Sequence, residues 1–192
     1  EERTRQFAAQ HSGMARPASK RWWTRFVPSA IERSTFVLDS SLVLALLFWL
    51  WHPLPQPVWH VDAALARGGL WGISLSGWLL VLTSSFTINH FELFGLRQVW
   101  LHARGRTPKD APFVIRAMYR IVRHPLMLGF LIAFWVTPDM TVGHLLFAAV
   151  VTGYIVVAVR FLEERDLVAV HGDTYRDYQR RVPMLLPGRK RG

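Results

Sequence analysis

The stretch Tyr119-Arg-Ile-Val-Arg-His-Pro-Leu-Met-Leu-Gly129 joins a basic segment to an apolar one. Pro125 has a fixed φ and no N–H, so it suits the first turn of a helix, where an N–H would lack a partner. Arg120, Arg123 and His124 then lie at the N-terminus of that helix, where cations oppose the macrodipole. This pattern predicts an anionic group beside them. The alternative is that they form the positively charged flank of a membrane helix.

Composition and charge favour a membrane protein over a soluble domain. Of the 192 residues 51% are hydrophobic, with nine Trp and twelve Phe. The charges cluster between long apolar stretches, which predicts an all-α, polytopic transmembrane helix bundle. The net charge of +10 does not indicate nucleic-acid binding, because the basic residues flank apolar spans. Without cysteine no disulfide or thiolate metal site can form. Because the chain starts at Glu1 without Met, we expect a further N-terminal segment.

Four apolar stretches organise the chain, at residues 35–51, 69–88, 125–137 and 142–162. At 1.5 Å per residue, about 17–20 residues cross a hydrocarbon core of about 30 Å. The third stretch is shorter than that, and Pro138 follows it, so we expect it to form a tight helical hairpin with the fourth. Small residues are expected to pack this hairpin closely. They are Gly129, Ala133, Gly143, Ala148, Ala149 and Gly153.

The distribution of cations predicts the topology. The four flanking segments hold 7 cations (residues 1–33), 1 (52–68), 7 (92–123) and 8 (160–192). The positive-inside rule places the first, third and fourth segments on the cytoplasmic side. The polar groups around residues 89–92, 119–124, 160–164 and 175–178 then meet at one end of the bundle. The last segment predicts a cytoplasmic helical tail, whose first helix ends at Gly172.

Four motifs with this order and spacing resemble the isoprenylcysteine carboxyl methyltransferase superfamily. They are Arg123-His-Pro-x-x-x-Gly129, Arg160-x-x-Glu-Glu-x-x-Leu167, Gly172-x-x-Tyr-x-x-Tyr178 and Val182-Pro-x-x-x-Pro187. The members are integral membrane enzymes that use S-adenosylmethionine, and the resemblance covers about residues 95–188. It implies a cytoplasmic interfacial segment (1–34), two transmembrane helices (35–91) and a methyltransferase core (92–192).

Three further segments are similar to a bacterial branch of that superfamily. They are Gln10-His-Ser-x-Met-Ala-Arg-Pro17, Lys20-Arg-Trp-Trp23 and Asn89-His-Phe-Glu-Leu-Phe-Gly-Leu-Arg-Gln98. Members of this branch transfer a methyl group to the sulfur of methanethiol and release dimethyl sulfide. The resemblance therefore implies an enzyme of the bacterial cytoplasmic membrane with its active site facing the cytoplasm. Its partners would be a small thiol and the lipid bilayer, with no obligate protein partner evident.

The resemblance also implies the site residues. The positions that match cofactor contacts, or that are suited to them, are Gln98, Tyr119, Arg123, His124, Pro125, Leu126, Met127, Glu164, Tyr175 and Tyr178. Arg123 and His124 suit the carboxylate of S-adenosylmethionine, and Glu164 suits its ammonium group or a ribose hydroxyl. The tyrosines suit the adenine, although Tyr175 and Tyr178 would equally pack the tail. No metal site is predicted.

Methyl transfer to sulfur requires a thiolate, and burial alone disfavours that charge. We expect Arg160, which matches a residue on the substrate side, to stabilise the thiolate, and His90 or His11 to take the proton. The alternative for Arg160 is a helix ion pair with Glu163 or Glu164. Two other functions stay open. One is a different acceptor, such as a prenylcysteine-like carboxylate or another small thiol, and the other is a non-enzymatic membrane assembly protein with the same fold.

Overall fold

The computed structural model describes residues 28–87, 96–106, 115 and 117–188. Two compact units divide the chain, Glu1–His52 with Ile88–Pro112 and Pro53–Thr87 with Phe113–Gly192. In the first unit, helix α1 (Ser29–Trp49) contacts helix α3 (Leu96–Ala103). The predicted residues His11 and His90, and the motifs at 10–17 and 20–23, lie outside the described residues.

The second unit is mostly helical and carries the motifs of the C-terminal half. Its elements in chain order are β1 (Pro57–His60), α2 (Ala64–Thr87), a 3-10 turn (Ala117–Arg120), α4 (Pro125–Trp135), β2 (Asp139–Thr141), α5 (Val142–Ala158), a π turn (Val159–Glu163), α6 (Glu164–His171) and α7 (Asp173–Arg181). Helices α5 and α6 and the π turn form one continuous helix of 30 residues.

Helices α2 and α4 touch backbone to backbone. A Cβ atom on Gly77 would lie 2.7 Å from the Ala133 nitrogen and 2.8 Å from the Gly129 oxygen. Ser74 Oγ donates to the Ala133 carbonyl at 3.2 Å in the same contact. The prediction that Gly129 and Ala133 serve the α4–α5 hairpin is therefore wrong, because α2 supplies the matching glycine.

The hairpin of α4 and α5 is present, but larger side chains hold it together. The rings of Phe134 and Phe147 meet edge to face, with their centroids 5.1 Å apart. Trp135 Nε1 donates to Thr152 Oγ1 at 2.8 Å. A Cβ atom on Gly153 would contact nothing within 4 Å, so this small residue is not needed for a close approach to another helix.

A two-stranded antiparallel sheet departs from the all-α prediction. Strand β1 pairs with β2, with His60 opposite Asp139. Pro57 lies in a segment too rich in proline for a helix, so the chain there is extended. Arg67 clamps the sheet by donating to both carboxylate oxygens of Asp139, at 3.0 and 2.5 Å. The pairing joins segments about 80 residues apart, and no local pattern predicts it.

Two described helices, Ala64–Thr87 and Val142–His171, are long and apolar enough to cross a membrane. Two further apolar helical segments, Val37–Trp49 within α1 and Pro125–Trp135, are shorter. The short third stretch thus agrees with the sequence prediction. Most of the first stretch lies in α1 (Ser29–Trp49), a helix of 21 residues. Among the described residues, two helices are both long and apolar enough to cross a membrane, whereas the sequence suggested three long apolar stretches and a short one.

Candidate functional site

The N-terminus of α4 has the local structure that its sequence predicts. His124 precedes the helix and Pro125 occupies its first turn. The backbone N–H groups of Arg123 and His124 donate to the carbonyls of Pro183 and Met184, at 2.9 and 3.1 Å. The chain after α7 therefore lies along the Arg123-His124 segment and holds it in place.

Glu164 is the anionic group that faces these cations. The Nε and Nη2 atoms of Arg123 each lie 2.6 Å from Glu164 Oε1, and both side chains are almost fully buried. His124 Nε2 lies 3.3 Å from the same oxygen. Gln179 Nε2 donates to the other oxygen, Oε2, at 3.1 Å. The anion predicted beside the α4 N-terminus is confirmed, and it belongs to the protein itself.

The remaining donor group of Arg123 binds the backbone near the end of α7. Its Nη1 atom donates to the carbonyls of Gln179 and Val182, at 3.0 and 2.5 Å. The guanidinium is therefore surrounded by Glu164 and two carbonyls of its own chain. This placement suits a residue that positions Glu164. The role of Arg123 in binding a ligand carboxylate stays a prediction.

The π turn before α6 aims Glu164 at this network. The Glu164 N–H donates to the Val159 carbonyl, five residues earlier. In a regular α-helix, residues five apart point about 140° away from each other. In the wider turn Val159 and Glu164 are both buried. The sequence of the turn contains neither Gly nor Pro, so it does not predict this irregularity. Such π turns are frequent at functional sites.

An open cleft of about 730 Å³ lies beside Glu164 on the outer side of the π turn, α6 and α7. Phe161 and Val168 supply apolar surface, and Gln179 lines the cleft next to the Glu164 carboxylate. Its cationic lining consists of Arg160, Arg165 and Arg176. Arg176 donates to Asp173 at 2.8 Å. Arg160 and Arg165 form no hydrogen bond or ion pair with another described residue, so the helix ion pair considered for Arg160 is not formed there.

The protonation of His124 depends on its acidic neighbours. Burial lowers the pKa of the imidazole, but hydrogen bonds and charge interactions with Glu163 and Glu164 outweigh it and raise the pKa to about 9. The Nδ1 atom lies 3.5 Å from Glu163 and Nε2 faces Glu164. His124 is therefore a cation at neutral pH, with each ring nitrogen directed at a carboxylate.

The predicted tyrosines lie mainly in the protein interior. Tyr175 and Tyr178 are 1% and 3% exposed and form a core cluster with Val182. Tyr178 donates from its hydroxyl to the Tyr119 carbonyl at 2.5 Å, and burial raises the pKa of Tyr178 to about 12. This placement favours the alternative that the two later tyrosines pack the tail. Tyr119 is half-buried, and burial followed by the charge of Glu163 raises its pKa.

The other predicted residues are spread over both units. Pro125 is fully buried, while Leu126 and Met127 are half-buried. Met127 packs against the cluster formed by Ile155, Val159 and Leu185. Gln98 belongs to α3 in the first unit. Gln179 was not predicted as a site residue, because only the folded chain brings α7 against Glu164.

Named proteins are similar to this chain along most of its length. A methanethiol S-methyltransferase of Mycobacterium tuberculosis is 59% identical over 181 residues, which cover 94% of this chain and 74% of that protein. Methanethiol S-methyltransferase 2 of Bradyrhizobium diazoefficiens is 58% identical over 181 residues, or 94% of this chain and 69% of that protein. Nurim of Sus scrofa is 30% identical over 169 residues, or 84% of this chain and 64% of that protein.

No protein-family model and no solved structure matches the chain. The high identities to the named methyltransferases extend over both the C-terminal motifs and the segments before them. They confirm the family resemblance seen in the motifs, and the chain belongs to the methanethiol S-methyltransferase family, within the isoprenylcysteine carboxyl methyltransferase superfamily.

Proposed function

We propose that this protein is an S-adenosylmethionine-dependent membrane methyltransferase that methylates the sulfur of methanethiol and releases dimethyl sulfide. The observation that carries the proposal is the 58–59% identity to two methanethiol S-methyltransferases over 94% of the chain. The helices Ala64–Thr87 and Val142–His171, which have the length and composition of membrane spans, support a membrane enzyme. The cation-rich segments support an active site that faces the cytoplasm.

The cleft beside Glu164 has the size and chemistry that S-adenosylmethionine needs. Its volume of about 730 Å³ falls in the range of about 300–1,000 Å³ that is usual for small-molecule sites. Glu164 can accept hydrogen bonds from an ammonium group or a ribose hydroxyl, and Phe161 offers apolar surface to an adenosine. When bound, S-adenosylmethionine supplies a methyl group on a sulfonium sulfur, which leaves as a neutral thioether.

The residues around Glu164 keep its carboxylate charged and oriented. Arg123 and His124 both face Oε1, and Gln179 holds Oε2. Because both oxygens accept hydrogen bonds, the Glu164 carboxylate cannot rotate freely. Its orientation is therefore fixed before the ligand binds. Such preorganisation reduces the cost of binding and aligns the reacting groups.

Arg160 is the residue we assign to the acceptor side. Its guanidinium lines the cleft and is exposed, and no described residue binds it. A free cation favours the thiolate over the thiol by lowering the pKa of the sulfur. The proton would pass to His90 or His11, which lie outside the described residues. The thiolate then forms the new carbon–sulfur bond from the side opposite the leaving thioether.

The proposal is tested by headspace gas chromatography on the purified full chain in detergent, with S-adenosylmethionine and methanethiol. We expect dimethyl sulfide from the unaltered protein and a loss of at least about 100-fold for Glu164→Ala, because that variant also leaves a buried cation unpaired. Asp166→Ala is the matched control, since Asp166 is an exposed acid on the same helix. It should keep near-normal turnover.

The open shape of the cleft also admits larger acceptors, so the same assay should include ethanethiol and a prenylated cysteine. Methylation of either one without methanethiol turnover would replace the acceptor and keep the methyltransferase. Absence of binding to S-adenosylmethionine in calorimetry, by a correctly folded protein, would instead favour a non-enzymatic membrane protein with this fold.

A further inference from the structure

The cleft beside Glu164 contains one cation whose role the proposed reaction leaves open. Arg123 is enclosed by Glu164 and two backbone carbonyls, at 2.5–3.0 Å. Arg176 is paired with Asp173. Arg160 is assigned to the acceptor. Arg165 lines the same cleft, is exposed, and forms no hydrogen bond or ion pair with another described residue.

The π turn explains why Arg165 reaches this cleft at all. Residues five apart would point in well-separated directions on a regular α-helix, about 140° apart. The bond from the Glu164 N–H to the Val159 carbonyl has the five-residue spacing of a π turn. Across the π turn, residues five apart therefore lie on nearly the same face of the helix. Arg160 and Arg165 thus share the outer face, while Val159 and Glu164 share the buried one.

The neighbouring residues Glu164 and Arg165 place a negative charge at the base of the cleft and a positive charge at its rim. Glu164 is 8% exposed and lies at the base, held by Gln179 and Arg123. Arg165 is exposed at the rim. An amino-acid group carries an ammonium and a carboxylate on one carbon atom, so it needs an anion and a cation close together. This pair of residues provides both.

We propose that Arg165 binds the carboxylate of the methyl donor while Glu164 binds its ammonium group. This inference rests on the proposed function and deepens it, since it assigns the residue that distinguishes an amino-acid-bearing donor from a simple nucleoside. It also replaces Arg123 and His124 as the groups that contact the carboxylate, because both are already directed at Glu164. A guanidinium binds a carboxylate through two parallel hydrogen bonds.

The test is isothermal titration calorimetry of the full chain in detergent with two ligands. One is S-adenosylhomocysteine, and the other is its decarboxylated analogue, which lacks only the carboxylate. For the unaltered protein we expect tighter binding of S-adenosylhomocysteine. Arg165→Ala should weaken that binding about tenfold, as is usual for one charge-assisted contact, and should leave binding of the decarboxylated analogue unchanged.

Two further variants show whether the preference for the carboxylate depends on the paired donors of Arg165 or only on its positive charge. Arg165→Lys keeps the charge but loses the paired donors, so it should fall between the unaltered protein and Arg165→Ala. Arg176→Ala removes the same charge from the same cleft, but Arg176 already pairs with Asp173. It should keep the preference for the carboxylate within about twofold.

The outcomes separate this inference from the proposed function. Equal weakening of both ligands in Arg165→Ala, or no weakening of either, overturns the role of Arg165 while the methyltransferase proposal stands. If Arg176→Ala loses the preference for the carboxylate and Arg165→Ala keeps it, then Arg176 and not Arg165 binds the carboxylate. If the unaltered protein binds neither ligand, the proposed function fails, and the inference fails with it.

Discussion

The charge of His124 links the site to the pH dependence of stability. Its pKa is about 9 in the folded protein and 6.5 in the reference state. Because the folded value is raised, protonation stabilises the fold fully below pH about 6.5, and this stabilisation is lost as the pH rises through about 9. We expect a loss on the order of 3 kcal/mol in unfolding free energy across that window.

The measurement is chemical unfolding of the full chain in detergent between pH 6 and 9.5, compared with His124→Gln. The glutamine cannot titrate, so the variant should be less stable at pH 6 and should change less with pH. His171→Gln, a half-buried histidine on α6, serves as the matched control and should keep the pH dependence of the unaltered protein. Equal pH dependence in all three proteins would show that another group is responsible.

At the scale of single residues, the sequence indicated which charged groups form the site, but not all of the hydrogen bonds that these groups make. Cations before Pro125 predicted an anion, and the family motif pointed to Glu164. The bond from Gln179 to Glu164 and those from Arg123 to the Gln179 and Val182 carbonyls had no sequence signal. They join residues 15 to 59 positions apart, and only the fold of α7 over the π turn brings them together.

At the scale of elements, the contact between α2 and α4 depends on two glycines that meet. A Cβ atom on Gly129 would lie 2.7 Å from the Gly77 oxygen and 2.9 Å from the Val81 nitrogen. These are backbone atoms, so the helices would have to separate. Gly129→Ala gains helix propensity of about 1 kcal/mol, but we expect overpacking to dominate and to destabilise the protein by about 1–3 kcal/mol net.

Gly153→Ala provides the matched control for this contact. Gly153 also lies inside an apolar helix, and a Cβ atom there would meet nothing within 4 Å. The control should be neutral or stabilised by up to about 1 kcal/mol, because only the propensity term changes. The free energy of unfolding of both variants in detergent decides the matter. A Gly129→Ala variant as stable as Gly153→Ala would contradict the close approach of α2 and α4.

Local rules predicted where α4 begins and where α6 ends, and they predicted the α4–α5 hairpin, but not the contact between α2 and α4. Pro125 begins α4, and Gly172, with φ of +56°, ends α6, as the sequence suggested. The β1–β2 pairing and the π turn were missed. The first depends on distant segments, and the second arises in an ordinary run of residues, so neither leaves a pattern that a sequence window can detect.

At the scale of the whole molecule, the uneven distribution of cations predicts which end of the second unit faces the cytoplasm. The segment 52–68 holds a single cation, whereas 160–192 holds eight. The positive-inside rule therefore places Asp62 outside and Asp173 in the cytoplasm. Between them lie the helices Ala64–Thr87 and Val142–His171, which are long enough to span, and the shorter helix α4 (Pro125–Trp135). Opposite sides for Asp62 and Asp173 therefore require α4 to supply a third crossing. Apolar side chains on these helices, such as Leu65 and Trp71, are exposed in the isolated chain, as expected of surfaces that face lipid.

The chain contains no cysteine, so single cysteines can report this orientation without a background signal. The side chains of Asp62 and Asp173 are 92% and 93% exposed, which makes both positions accessible to a reagent. In bacterial spheroplasts, which lack the outer membrane but keep an intact cytoplasmic membrane, a membrane-impermeant maleimide should label Asp62→Cys without further treatment. It should label Asp173→Cys only after the membrane is permeabilised. Labelling of both positions from the outside would mean that residues 62 and 173 lie on the same side of the membrane. The chain would then cross the membrane an even number of times between them, and the proposed cytoplasmic site would be wrong.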